Sequence, residues 1–297
     1  IIKVYNPIAF LNKFAKLKRE HCNTKILAIT GSAGKTSLKD MLNILLQNYN
    51  NTYASPRSFN NHYGVPISLS NIENYHKYGV FEIGMSKKGE IHRLSKIVKP
   101  DIAVITNTAE AHIENFKNIR GIAEAKGEII KNIKKGGTLI LNRDDRFFNY
   151  HNTIAKNQGL KIISFGRSNK SDIYPVSIKK FEKKIIIKIH AVNETLFFSF
   201  SNLNIYNVLS SIAVLKDLKL NLNKAIKSFQ NLNFLEGRGK IHNIKRFKTI
   251  FSLIDESYNA NPFSVKNAIN NLSDLKRKNS KKYLLLGDML ELGNKSD

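Results

Sequence analysis

Cysteine is almost absent: Cys22 is the only one in 297 residues. No internal disulfide can form, and the chain suits a reducing compartment, so a cytoplasmic protein is expected. Long apolar runs are missing too. None approaches the roughly 18 residues that a membrane helix needs, and no membrane insertion is expected. The opening stretch, "IIKVYNPIAFLNKFAKLKRE", mixes apolar and basic side chains. It lacks the basic start, compact apolar block and small-residue cleavage site of a secretion signal. An initiator Met is also lacking, which reads as a trimmed chain. Acidic residues are few, 23 against 48 Lys and Arg, for a net charge of +25. A basic surface attracts phosphate, and a nucleic-acid-dependent ATPase would reveal itself by a steep salt dependence of binding. The lysines, however, run through the whole chain beside abundant Asn and Ile, with no basic tail, as an AT-rich coding sequence would produce. No nucleic-acid partner is therefore expected.

What is present is a foldable chain. Hydrophobic residues make up 42%, typical of a globular protein, and the length allows two domains with cores of their own. Residues 1–24 read as a linker from a missing upstream domain. "KILAIT" (25–30) is a short buried strand, followed by a glycine loop and a helix, "KTSLKDMLNILLQN". Further strands are expected at "GVFEIG" (79–84), "DIAVIT" (101–106) and "GTLIL" (137–141), with helices at "KGEIHRLSKIV" and "NIRGIAEAKGEIIKNI". Strands alternating with helices predict an α/β fold, a mainly parallel P-loop-type sheet flanked by helices. From 161 to 200, "KIISFG" and "KKIIIKIHAV" predict a small antiparallel β region, and helices follow at about 204–218 and 222–230. The central domain would span 25–235. After a hinge at "NLNFLEGRGK" (231–240), strand, helix and strand are expected at "TIFSLIDE", "NPFSVKNAINNLSDL" and "KKYLLLGDM". They would start a Rossmann-like α/β domain over 236–297, incomplete by the usual size of a domain.

The stretch "ITGSAGKTS" (29–37) follows the first strand and opens a helix. The common phosphate loop reads G-x-x-x-x-G-K-[ST]. Counting back from Gly34, the first glycine would fall at Ile29, whereas this chain offers Gly31. A strand, a tight glycine turn and a helix N-terminus still aim backbone N–H groups at an anion. Lys35 would then reach the terminal phosphates and Thr36 would ligate Mg²⁺. The plainer alternative is a strand-to-helix turn that happens to carry Gly, Lys and Thr.

Ligands of open α/β sheets sit beyond the carboxyl ends of the strands, where Glu82, Asn107 and His112 also fall. A carboxylate inside an apolar strand is costly unless paired or bound to a metal, so Glu82 is a Mg²⁺ ligand or half of a buried salt bridge. His112 alone is as well read as a surface or core histidine. Lys126 lies within the apolar stripe of Ile119, Ile122, Ala123, Ile129, Ile130 and Ile133. An inward amine must pair, snorkel, shift its pKa or be chemically changed. On the residues alone, a buried salt bridge or a snorkelling amine accounts for it.

Taken in order, these motifs resemble those of the Mur ligase family of bacterial cell-wall synthesis. "TGSAGKTS" is similar to that family's short loop, T-G-[ST]-x-G-K-T-[ST]. "FNNHYGVP" and "TNTAEAHIENF" are similar to its N-N-x-x-G-x-P and T-N-x-x-x-x-H segments, and "LNRDD" (141–145), "EGR" (236–238) and "YNANP" (258–262) follow in order. "EAKGEI" matches the site of the family's carbamylated lysine, which implies that a CO₂-derived carbamate forms on Lys126. "DESYNANPFSVKNAI" and "LLLGDMLELG" resemble the member that adds D-alanyl-D-alanine to a UDP-N-acetylmuramoyl (UDP-MurNAc) tripeptide. Three positions depart from the pattern. Ser58 stands where Asn is frequent, Leu203 where a histidine is expected, and Glu256 where a second Asp is usual. The rivals left open are another Mur-type or folylpolyglutamate-type ligase and the nucleic-acid-dependent ATPase.

The resemblance implies an ATP-dependent ligase. ATP phosphorylates the tripeptide carboxylate, and the amine of D-Ala-D-Ala displaces phosphate from the acyl phosphate. It implies ATP contacts from Gly31, Ser32, Ala33, Gly34, Lys35, Thr36, Ser37, Asn207, Arg238 and Asp255. Mg²⁺ would be held by Thr36 and Glu82, with His112 and the Lys126 carbamate around a second ion. Lys35, His112 and Lys126 are the expected catalytic residues, and Asn60, Asn61, Tyr258, Asn259 and Asn261 the expected substrate contacts. The two substrates are the expected partners of a protein that acts as a monomer.

Overall fold

The computed structural model describes residues 3–111, 113–181, 184–200, 204–232, 236–246, 249–275, 281–290 and 292. Its main sheet starts with β1 (Lys25–Thr30), β2 (Thr52–Ala54), β3 (Tyr78–Glu82), β4 (Ile102–Ile105), β5 (Thr138–Asn142) and β6 (Lys161–Phe165). β7 (Ile173–Lys180), β8 (Ile185–Ala191) and β9 (Glu194–Phe200) extend it. Among the described residues the order is β2-β3-β1-β4-β5-β6-β7-β8-β9. Pairing is parallel from β2 through to the start of β7 and antiparallel from β7 to β9. The chain leaves β1 toward β2 and β3 on one side and later returns to β4 on the other. β1 is therefore the switch point of the sheet, where α/β folds place their ligands.

Helices cover both faces. α2 (Lys35–Gln47), α7 (Ile205–Asp217) and α8 (Leu222–Asn231) lie on one side. α1 (Pro7–His21), α3 (Gly64–Ser70), α4 (Glu90–Val98), α5 (Ile119–Gly127) and α6 (Phe148–Asn157) lie on the other. Alternation along the strands divides the apolar residues between these layers. Leu27, Ile29, Val104 and Ile140 face α2 and α7, while Ile26, Ala28, Ile105 and Leu139 face the second layer. Each fully buried Leu or Ile is worth on the order of 1.5–3 kcal/mol. A one-residue slip would exchange the two sets, so register is fixed from both sides. The antiparallel end is different: Leu196, Phe198 and Phe200 are buried while Lys188 and Phe197 face solvent.

Several local expectations need correction. Residues read as linker form α1, with Asn6 as N-cap and Pro7 opening the first turn. Its inward face is narrow, Ala15 and Arg19, so the apolar pattern is weak. Arg19 substitutes polar contacts: it donates to Val98 O at 2.8 Å and Lys99 O at 2.9 Å, and pairs with Asp101 at 3.1 Å. β6 is parallel to β5, from Thr138↔Lys161 to Asn142↔Phe165, because α6 provides a crossover that the sequence did not reveal. The helix expected over 118–133 stops at Gly127, and a 3₁₀ turn, Ile130–Asn132, follows.

After α8 the chain forms the antiparallel pair β10 (Lys240–Arg246) and β11 (Thr249–Asp255), then α9 (Pro262–Asp274). β10 was not foreseen. The strand expected at 281–289 has no regular structure, and Leu284, Leu285 and Leu286 are exposed. A strand acquires stability only by pairing, and β11 pairs with β10. The hinge residues 233–235 and Leu203 lie outside the described residues. No described helix is long and apolar enough to cross a membrane.

Candidate active site

The loop after β1 is shaped by two glycines and bolted to the end of β4. Gly31 has φ +152°, and a Cβ there would lie 1.9 Å from Thr106 Oγ1. Gly34 caps α2 in the left-handed region at φ +82°. Thr106 Oγ1 donates to Ala33 O at 2.7 Å. The Asn107 side chain meets the same residue twice: Ala33 N donates to its Oδ1 at 3.0 Å, and its Nδ2 donates to Ala33 O at 3.1 Å. Ser32 Oγ donates to Ala109 O and accepts from Ala109 N, both at 2.9 Å. The loop is thus preformed, and the first amides of α2, which have no partner within the helix, open beyond it. Ser37 sits half-buried in the same turn. Lys35 Nζ donates to Gly31 O at 2.8 Å. Burial lowers the pKa of this amine, Glu82 opposes that shift and Arg238 adds to it.

Glu82 ends β3 with 1% of its surface exposed. Its Oε2 accepts from Thr36 Oγ1 at 2.7 Å and its Oε1 from Asn60 Nδ2 at 2.7 Å. No described residue forms an ion pair with it, so the salt-bridge alternative lacks a partner. The Thr36 hydroxyl also lies 3.3 Å from Ser58 Oγ and accepts from the Arg238 guanidinium at 3.1 Å. Arg238 stacks over the Tyr258 ring at 4.1 Å, and Tyr258 OH donates to Ser58 Oγ at 2.8 Å. The unit after α8 therefore reaches directly onto the phosphate loop.

Lys126, on the last turn of α5, is 2% exposed. No described residue makes a hydrogen bond to its Nζ. Burial, reinforced by Lys35, holds its pKa well below the usual lysine value, with Asp145 opposing. Asp145 accepts from Thr108 N at 2.5 Å and Phe147 N at 2.8 Å, and burial raises its pKa. Glu128 fixes α5 by accepting from Gly89 N at 2.7 Å and His92 N at 3.0 Å, at the start of α4. His112 lies outside the described residues.

The other expected residues divide. Asn207 is buried on α7 beside the loop; a Cβ on Gly34 would lie 2.9 Å from its Oδ1. Asp255 accepts from Gly237 N at 2.9 Å and Ser257 N at 3.0 Å, holding the turn that carries Arg238. Asn61 Oδ1 accepts from Tyr63 N at 3.1 Å and Gly64 N at 2.9 Å where the chain enters α3, and Asn261 caps α9 through Ser264 N at 2.9 Å. The Asn259 side chain is turned to Ala260 N. A separate group, Glu236, His242 and Asp255, brings its donor atoms within 4.8 Å of one another. There Lys240 neutralises Glu236, and backbone amides already occupy Asp255.

Lys39 was missed. It is 1% exposed on α2, within the stripe of Leu38, Leu42 and Leu45. An amine in an apolar stripe is the signal that singled out Lys126, and it was present here as well.

The Mur ligase middle-domain model matches residues 29–215. The chain is 37% identical over 302 residues to UDP-N-acetylmuramoyl-tripeptide–D-alanyl-D-alanine ligase of Rickettsia prowazekii, covering 99% of this chain and 65% of that protein. A crystal structure of MurF from Acinetobacter baumannii superimposes with TM-score 0.90 at 30% identity, over 99% of this chain and 64% of that one. MurF ligase from Thermotoga maritima in complex with ADP gives TM-score 0.87 at 28% identity, over 100% and 67%. The chain spans just under two thirds of the Rickettsia protein's length. With the short loop, Glu82 and Lys126 at one end of the sheet and the middle-domain match covering most of it, the chain belongs to the Mur ligase family.

Proposed function

We propose that the protein uses ATP to join D-alanyl-D-alanine to the terminal carboxylate of a UDP-MurNAc tripeptide. The observation that carries this reading is the Thr36–Glu82 pair beneath a preformed phosphate loop, with Arg238 and Tyr258 of the following unit laid over it. The substrates come from the relatives, whose names specify this ligation. The nucleotide follows from the loop and from the ADP bound by the Thermotoga relative.

The loop amides and Lys35 hold the phosphates at the switch point. The tripeptide carboxylate attacks the γ-phosphorus and ADP leaves. The amine of the dipeptide then attacks the acyl carbon, loses a proton, and inorganic phosphate departs. Two anions must meet in the first step, so cationic groups at the loop lower its barrier. Thr36 and Glu82 are oxygen donors suited to Mg²⁺, which when bound would offset phosphate charge. Lys126, buried and with its pKa held well below the usual lysine value, fits carbamylation: Nζ attacks CO₂, a proton leaves, and a carboxylate results. We assign the division of labour to a central unit, 25–235, and a closing unit from 236 onward. Closure of one on the other excludes water from the acyl phosphate.

Phosphate release by the full-length protein, with the UDP-linked tripeptide present and D-Ala-D-Ala added or withheld, tests the reading. Release that depends on both is expected, and indifference to the dipeptide rejects it. Glu82→Gln keeps the shape and removes the charge. It is expected to raise the Mg²⁺ concentration for half-maximal activity about tenfold or more, as loss of about 1.4 kcal/mol in ion binding would. An unchanged requirement removes Glu82 from the metal.

A further inference from the structure

The geometry around Lys39 points to a role that the reaction scheme does not use. We propose that Lys39 is a positioning residue: its ammonium pins the turn at 55–58 against α2 and thereby sets Ser58 and Asn60 onto the Thr36–Glu82 pair. Lys39 is 1% exposed, and a lysine so deep is rare unless paired. An ammonium has three donors. Here Nζ donates to Ser55 O at 2.7 Å and Arg57 O at 2.5 Å, and lies 3.1 Å from Asp40 Oδ1. All three positions are used.

Two of those acceptors are backbone carbonyls of a turn that would not choose its own shape. Arg57 has φ +46°, in the left-handed region. That conformation costs a non-glycine residue energy and persists where the surroundings over-determine it. Ser55 ties the turn to β3, through its own N to Val80 O at 2.9 Å and its Oγ from Glu82 N at 3.3 Å. Lys39 supplies the tie on the helix side. Immediately downstream, Ser58 Oγ meets Thr36 and accepts from Tyr258 OH, and Asn60 Nδ2 holds Glu82 Oε1. The helix that begins in the phosphate loop therefore carries, one turn on, the amine that fixes a second shell of the same site. A misplacement of about 1 Å at such a shell can cost about 100-fold in rate.

The catalytic readout rests on the ligase reading; hydrogen exchange does not. In the full-length protein, Lys39→Met is expected to speed amide exchange at 57–60 by at least about tenfold. It should lower kcat for dipeptide-dependent ADP formation about 100-fold, with KM for ATP within about threefold. Adding Arg57→Gly, which accepts φ > 0 without strain, should recover at least about tenfold of that loss. A lysine that only supports the fold would show no such rescue. Unchanged exchange at 57–60 in a folded Lys39→Met overturns the proposal, as does a rate loss that Arg57→Gly leaves untouched. If Lys39→Met does not fold, Lys39→Gln, with a shorter donor, is held to the same exchange criterion. A wild type that ignores D-Ala-D-Ala counts against the ligase reading alone.

Discussion

Lys126→Ala is expected to lower ligation by about 100-fold or more, and millimolar formate or acetate is expected to restore part of the loss. The magnitude is that of removing one preorganised electrostatic group from an active site. The reasoning begins with burial. An amine at 2% exposure, without a hydrogen bond from any described residue, is destabilised as ammonium. Lys35 pushes in the same direction, so the amine gives up its proton more readily than an ordinary lysine. Asp145 opposes the shift only in part. Carbamylation would replace this poorly accommodated amine by a carboxylate that Lys35 favours electrostatically. Alanine leaves a cavity that a small carboxylic acid can enter, which makes rescue the discriminating measurement. An unaltered rate in Lys126→Ala, or a loss that no carboxylate relieves, removes the carbamate from the mechanism.

Gly31→Ala is expected to destabilise the fold by about 3 kcal/mol, from overpacking and backbone strain together, and to weaken nucleotide binding at least tenfold. A methyl group at residue 31 would sit 1.9 Å from Thr106 Oγ1. That hydroxyl cannot retreat freely, because it holds Ala33 O at 2.7 Å. The loop must open or β4 must shift, and either moves the amides that face the phosphates. Urea unfolding and calorimetric titration with ADP read the two effects. In Gly31→Ala/Thr106→Ala the 1.9 Å clash is gone, leaving only the tighter contacts to Thr106 Cβ at 3.1 Å and N at 3.2 Å, and part of the stability should return, as coupling between touching residues requires. Equal losses in the single and double variants would place the strain elsewhere.

The parallel half of the fold was legible because its strands are short apolar runs punctuated by turns. β1, β3, β4 and β5 fall within a residue or two of where "KILAIT", "GVFEIG", "DIAVIT" and "GTLIL" place them. α1 and α6 were not, since each buries little apolar surface: Ala15 with Arg19 in one, Phe148, His151 and Ala155 in the other. β10 reads "KIHNIKR", whose alternation of apolar and basic residues resembles a solvated loop until β11 is set beside it. In the site, the loop and Glu82 could be found from strand ends alone. The backbone-holding roles of Asn61 and Asn261 could not, because the motif that drew attention to them is also a helix start. The apolar stripe of α2 signalled that Lys39 is buried, but its role needed the carbonyls of Ser55 and Arg57, which no side-chain pattern encodes.

The antiparallel end of the sheet has a bearing on how the protein survives at concentration. Among the described residues β9 is an edge strand, "ETLFFSF", and Phe197 on its outer face is 69% exposed. An open, apolar edge is a template for pairing with another copy. The opposite edge, β2, is only three residues long and offers little to add to. The net charge of +25 opposes such pairing through mutual repulsion. Salt screens that repulsion over about 10 Å at 0.1 M. Turbidity on mild heating is therefore expected to rise with ionic strength, and Phe197→Lys to suppress it with little change in Tm. Aggregation indifferent to both would mean that the sticky surface lies elsewhere. The lysine-rich composition then guards a seam that the described residues leave open.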